Sequence, residues 1–298
     1  MEIVVEPDRR LWEEAAQRSD FWPLQQDWDY GLAVRWQAQP VLRLLARDDA
    51  GAPVACVQLV GRRWFGLAEL WLALRGPVAL NGASSVPPQL LAALPRGLLR
   101  AVLLAPEIQE NAATQTSWLG RGRVYTGHSC AIVDLPHYGR QVLRQKWRNR
   151  LNAAQARGLR IELADRGKWL DWVVARYDRV RAAKGFAGPS ADFVAQLVRL
   201  KSPRQALAAI ALDGREPVAG ALFLRHGPDA SYYVAASDAQ GRAANAANLV
   251  LWRGLMALKE QGVRKVDLGT IDTDKSPGLA RFKLGAGGQP LTLAGTYL

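Results

Sequence analysis

Sulfur is nearly absent from this chain. Two cysteines, Cys56 and Cys130, and two methionines are all that 298 residues contain. Two thiols so far apart exclude a disulfide framework and a cysteine-based zinc site. Histidine is almost as scarce. His128, His137 and His226 lack metal-ligand spacing, so no metal is expected. His128 and Cys130 would share a face of one strand, a spacing that suits an edge or core position better than a nucleophile–base pair. Long apolar runs are missing as well. The longest candidate, Leu98 to Ala105, is interrupted by Arg100 and falls short of the roughly 18 residues a membrane span needs. Met1 to Asp8 lacks the basic-then-apolar layout of a leader peptide. These absences set the expectation of a cytoplasmic protein without stable membrane insertion, at most peripheral at the inner membrane face.

Positive charge and tryptophan are plentiful. Lys and Arg number 39 against 27 Asp and Glu, and eleven Trp outnumber seven Tyr and six Phe. The charge is concentrated. Arg140 to Lys168 holds nine Lys/Arg against Glu162 and Asp165, a local balance of +7. Within it, Leu143, Trp147 and Leu151 fall on one helical stripe, with Arg144, Lys146, Arg148 and Arg150 around it. Such a face suits a polyanion: RNA, a phosphorylated substrate or a membrane surface. The alternative is a solvated basic helix, with Trp147 in the core.

A faint repeat organises the chain. Val41–Leu59 and Ala208–Leu224 both read as strand, Asp/Gly turn, Pro, strand. Each is followed by a third strand candidate (Leu67 to Leu74; Ser231 to Ala236), a helix (Pro88 to Leu99; Asn245 to Gln261) and a further strand (Ala101 to Leu104; Val263 to Leu268). A meander, a helix and a strand occurring twice argue for a duplicated α+β unit. Pro136 and Gly139 break the pattern. The expected division is therefore 1–138 with 286–298 as one domain and 139–285 as the other.

The stretch from Asp267 to Gly285 is the most informative. It reads as a buried strand ending at Gly269, a polar turn with Asp272 and Asp274, and a short helix opened by Pro277. The helix delivers Lys283, a compact positive charge, just after a strand-end loop, where α/β proteins place chemistry. Arg281 and Phe282 precede it; Gly269 and Gly278 permit close backbone approach. Arg281 would hold a phosphate or cap the turn. The plain alternative is a solvated loop. Tyr232 and Tyr233 alternate faces if they lie on a regular strand, so only one would face a cleft. Gly241 to Asn248 reads as a small-residue loop opening a helix, an arrangement that can hold an anion. It resembles the Arg-x-x-Gly-x-Gly/Ala pyrophosphate loop of acyl-CoA-dependent N-acetyltransferases, with Arg242 and Asn245 as the cofactor-binding candidates. Asn245 stands where that loop has a glycine, which disfavours acyl-CoA as donor.

Leu24 to Trp28, Lys146 to Leu151 with Gly158-Leu159, Ala183 to Phe186, Tyr232 to Asp238, and above all Asp267 to Asp272 through Phe282-Lys283 resemble the FemABX family of aminoacyl-tRNA-dependent peptidyltransferases. The resemblance implies two tandem acetyltransferase-type domains with a cleft between them, and a chain end that returns to the first domain as a strand over Pro290 to Tyr297. It implies no resident cofactor: charged tRNA is a co-substrate, and the acceptor is an amine on a peptide-like molecule or cell-wall precursor. Lys283 and Asp272 become the catalytic candidates. Tyr232, Tyr233, Phe282, Arg281, Gly269 and Trp28 become the substrate-binding candidates. Arg144, Lys146, Arg148 and Arg150 would hold tRNA. The chain departs from members that grip a nucleotide-linked muropeptide at Leu32 and Phe193, where those members carry basic or polar residues. A monomer or weak dimer is expected. An acyl-CoA-dependent N-acyltransferase of polysaccharide or lipid biosynthesis, and a non-catalytic RNA- or partner-binding module, are the competing readings.

Overall fold

The computed structural model describes residues 1–298 other than Phe65–Leu67, Ser84, Leu98–Leu99 and Ala112. The chain divides into two units: Met1–Ser129 with Leu291–Leu298, and Cys130–Pro290.

The first unit opens with β1 (Glu2–Val5), α1 (Arg9–Gln17), a short 3-10 turn at Leu24–Gln26 and α2 (Trp28–Trp36). Then come β2 (Val41–Arg47), β3 (Pro53–Trp64), β4 (Ala68–Ala73), the two-residue β5 (Val78–Ala79), α3 (Pro88–Ala92), β6 (Arg100–Leu104), β7 (Ser117–Trp118) and β8 (Arg121–Tyr125). Asp48 and Gly51 make the β2–β3 turn as their chemistry requires, with the Asp48 carboxylate accepting from the Ala52 amide at 2.8 Å. Helix α3 stops well short of the expected Leu99. Pro95 cannot continue a helix and biases Leu94 out of helical geometry; Leu98 and Leu99, like Leu67 at the start of the expected third strand, lie outside the described residues.

The second unit contains β9 (Ser129–Asp134), α4 (Gln145–Ala156), β10 (Arg160–Ala164), α5 (Lys168–Lys184), α6 (Ala191–Leu200), β11 (Ala206–Asp213), β12 (Glu216–His226) and β13 (Asp229–Ser237). It continues with α7 (Ala239–Ala243), α8 (Ala246–Glu260), β14 (Lys265–Thr270), α9 (Pro277–Gly285) and β15 (Gln289–Thr292); β16 (Thr296–Tyr297) then belongs to the first unit's sheet.

The duplication is visible in the ladders. In one sheet β1, β2, β3 and β4 pair antiparallel in sequence, and β6 lies parallel to β4. In the other, β10, β11, β12 and β13 pair antiparallel, and β14 lies parallel to β13. Each sheet is extended past its parallel strand by one distant in sequence: β16 beside β6, and β9 beside β14. The break at Pro136–Gly139 is therefore not the domain boundary. Because β9 completes the second sheet, residues 130–138 belong to the second unit, and residues 286–290 stay there too. The chain end does return to the first unit, but Pro290 to Tyr297 is not one strand: β15 extends the second sheet, Leu293 makes an isolated bridge with Gln109, and β16 pairs in the first sheet.

The second unit's core is α8 against the sheet. Leu251, Leu255 and Leu258 are fully buried with Ala209, Ala211, Ala221 and Phe223, each leucine contributing about 1.5–3 kcal/mol of transfer free energy. In the first unit Tyr297 does the anchoring. It is fully buried beside Trp118, and its hydroxyl donates to the Thr114 and Ala294 carbonyls. Tyr297→Phe should lower stability by about 1 kcal/mol through the lost hydrogen bonds. Tyr297→Ala should lower it by about 3–5 kcal/mol, in the range of buried aromatic truncations. Urea unfolding of the full chain measures both, and equal losses for the two variants would contradict this assignment.

Candidate functional site

The end of β14 departs from regular pairing. Asp267 faces Ile132 of β9, but Thr270 faces Cys130, so β14 carries one extra residue across the step. Gly269 absorbs it with φ +82°, a conformation a side chain resists. The Asp267 carboxylate fixes the bulge by accepting from the Gly269 amide at 2.6 Å. The chain then turns at Asp272, whose Oδ1 accepts from the amides of Asp274 (3.0 Å) and Lys275 (2.7 Å), and α9 starts at Pro277.

Helix α9 carries Lys283 back onto the bulge. The side chain is 6% exposed, and Nζ donates to the Thr270 carbonyl at 2.8 Å. A Cβ on Gly269 would stand 3.3 Å from that nitrogen. Burial pulls the lysine below its ordinary value of 10.5, with Asp267 and Cys130 pushing the other way. Strand β14 and helix α9 thus hold a desolvated ammonium at a strand end.

The basic helix abuts this element. Leu143, Trp147, Leu151 and Ala154 are buried as the stripe requires. Trp147 meets Phe282, ring centroids 6.1 Å apart, and the Arg144 amide donates to the Gly285 carbonyl at 3.0 Å. Gly285 leaves no room for a side chain, since a Cβ there would lie 2.9 Å from Trp147 Cδ1. Arg144, Lys146 and Arg150 are exposed and Arg148 is half-buried. No ion pair engages any of the four among the described residues.

The structure thus brings Lys283 and Gly269 together and packs the helix carrying Lys146, Arg148 and Arg150 on α9 through Trp147 and Phe282. Other candidates sit differently. Asp272 is a turn cap; no hydrogen bond or ion pair joins it to Lys283 among the described residues. Arg281 is exposed and makes no cap or ion pair among the described residues. Tyr232 packs on Phe223, centroids 5.4 Å apart, and burial pushes its hydroxyl pKa up. The pairing of β12 with β13 slips here: Leu222 faces Val234 and Phe223 faces Tyr232, leaving Tyr233 as the extra residue of a bulge. The simple alternation expected of the two tyrosines therefore fails. Trp28, in the first unit, lies under a buried guanidinium, with Arg43 Cζ 3.8 Å from the ring centroid. Arg43 also donates to Gln58 Oε1 at 2.7 Å and to the Trp28 carbonyl at 3.1 Å, and burial lowers its pKa to about 10. The Leu24–Trp28 stretch is thus engaged in the packing of its own unit. Phe193 is a core residue of α6.

The expected anion loop is largely helical. Gly241 to Ala243 lie in α7, the Arg242 guanidinium donates to the Ser237 carbonyl at 2.8 Å, and Asn245 takes φ +54° before α8. The amides of Arg242, Ala244, Asn245 and Asn248 are all spent on carbonyls within the segment. The residues overlooked from sequence are Asp267, as the bulge fixer, and Thr270, as the lysine's acceptor. An Asp two residues before a Gly is a legible turn signal; a carbonyl acceptor has none.

Residues 140–284 match the model of the acetyltransferase (GNAT) domain, which makes the second unit an acyltransferase-type domain. No curated protein matches the sequence. Among solved structures, FemX aligns over 100% of this chain and 96% of its own, with TM-score 0.79 at 14% identity. The fold is that of FemX. A tandem GNAT protein from the clavulanic acid biosynthesis pathway aligns over 99% of this chain and 97% of its own (TM-score 0.52, 13% identity). The C-terminal domain of a candidate lysylphosphatidylglycerol synthetase from Agrobacterium fabrum aligns over 95% and 90% (TM-score 0.57, 16% identity). The FemX-like chain is therefore two GNAT-type units in tandem. Among the described residues no helix is long and apolar enough to cross a membrane.

Lys283 also makes stability pH-dependent. Its folded pKa lies below the unfolded one, so folding releases a proton between the two values. Below the folded pKa the buried charge detracts from stability; as pH rises through it, that penalty fades. Lys283→Met has no such group. The stability of the natural chain relative to Lys283→Met should therefore rise as pH climbs from the lowered folded value toward the ordinary lysine value of 10.5. Urea midpoints across that range test this, and a flat difference would contradict it.

Proposed function

We propose that this protein is an aminoacyltransferase that moves an aminoacyl group from charged tRNA to an amine of a peptide-like acceptor, such as a peptidoglycan precursor. The observation that carries the reading is the buried ammonium of Lys283, set on α9 against a basic helix with unpaired cations. An aminoacyl ester is already activated. Transfer needs alignment of amine and ester and stabilisation of the tetrahedral oxyanion. Lys283 donates one of its three N–H bonds to Thr270, and an ammonium in a desolvated site stabilises a developing oxyanion or grips an acceptor carboxylate far better than one in water. Arg144, Lys146, Arg148 and Arg150 would hold the phosphates of the tRNA acceptor arm. The attacking amine loses its proton with help from the substrate, since Asp272 is committed to its turn.

A second reading, an acyl-CoA-dependent N-acyltransferase, is favoured by the acetyltransferase domain match. The α7–α8 segment argues against it, because the amides of Arg242, Ala244, Asn245 and Asn248 are already occupied.

Product mass spectrometry with a charged-tRNA pool, acyl-CoA and candidate amines separates the two. Aminoacyl adducts are expected with tRNA and none with acyl-CoA; the reverse would overturn the proposal. Lys283→Met should lose at least about a hundredfold in rate, the scale of removing one oxyanion donor, with its melting temperature nearly unchanged. Neutralising Arg144, Lys146 and Arg148 together should weaken tRNA binding and reduce its salt slope by about 2–3. Unchanged affinity would remove this face from the tRNA site.

A further inference from the structure

Lys283 does not reach its position by its own helix alone. Thr270, the carbonyl that receives its ammonium, is placed by the β14 bulge, and that bulge is tied by Asp267. Asp267 is as buried as Lys283, each 6% exposed. A buried carboxylate is rarely retained for a turn that an amide would make equally well. Here it stands two residues from the glycine whose missing Cβ leaves room for Nζ.

Building on the role proposed for Lys283, we infer that Asp267 is its positioning residue. One carboxylate oxygen shapes the bulge that presents Thr270, and the negative charge keeps the ammonium protonated in its desolvated place. The groups acting on Lys283 come from separate elements: Asp267 from β14 and Cys130 from β9. Helix α4 meets α9 through Trp147. The direction of Asp267's influence, opposing the effect of burial, agrees with this assignment.

Asparagine separates the two parts of the role. Its Oδ1 still accepts from the Gly269 amide, but its charge is gone. The experiment is pH-dependent labelling of the full chain with acetic anhydride, following Lys283 by peptide mass spectrometry. In Asp267→Asn the Lys283 labelling midpoint should move to lower pH, so that labelling near neutrality is severalfold faster, while the chain still folds cooperatively. An unmoved midpoint would overturn the inference. A second measurement is the urea midpoint of Asp267→Asn in the natural and Lys283→Met backgrounds. A larger loss in the natural background supports a carboxylate serving the ammonium. Equal losses, or failure to fold in both backgrounds, would assign Asp267 to the fold alone. Neither readout depends on transfer, so loss of the aminoacyltransferase reading would leave both interpretable.

Discussion

Taking a lysine ammonium out of water is unfavourable unless the protein supplies an acceptor and an opposing charge. The second unit answers that constraint at Lys283, and much of its local structure follows. The acceptor is Thr270, which requires an extra residue in β14, which requires a glycine at 269 with positive φ, which is held by Asp267. The approach of α9 requires a gap at Gly285 for Trp147, and Trp147 brings the basic helix with it. The surroundings of one nitrogen are thus linked through two glycines and a tryptophan to the packing of α4 on α9.

The two units share a strand order but use their polar interiors differently. The first buries Arg43 under Trp28 and ties it to Gln58, while Gln26 accepts from the Gln58 amide at 2.6 Å. These groups brace α2 against β2 and β3. The second buries a lysine with hydrogen-bonding capacity left over. Duplication supplies a scaffold twice, and each copy sets its buried cation differently: Arg43 against Trp28 and Gln58, Lys283 at the end of β14. This difference explains why a motif near the chain start can be conspicuous in sequence and still serve packing.

Much of this architecture was legible in the residues. Strand, turn and strand at 41–59 and 208–224 follow from alternation and Asp/Gly chemistry, and the Leu143–Trp147–Leu151 stripe follows from helical period. Pro277 marks the start of α9. What was not legible depends on long-range pairing. The first sheet's claim on β16 and the second's on β9 are contacts between distant segments, so the boundary was misplaced at 138. Tyr233 in a bulge and Asp272 as a cap are equally invisible to periodicity, because each turns on a one-residue slip or a local amide.

The arrangement of cations bears on how a polyanionic donor would be held. A pyrophosphate cradle built from backbone amides needs those amides unspent, and at α7–α8 most are internally bonded. Arginine and lysine side chains on α4 carry no such prior commitment among the described residues. Binding through them rests on phosphate charge and counterion release, is spread over several contacts, and tolerates a large flexible partner. A nucleic acid that must dock, deliver an ester and leave suits that mode better than a tightly cradled small cofactor does. Under the proposed transfer from charged tRNA, anion recognition would rest on side chains of the α4 face rather than on backbone donors at the start of α8.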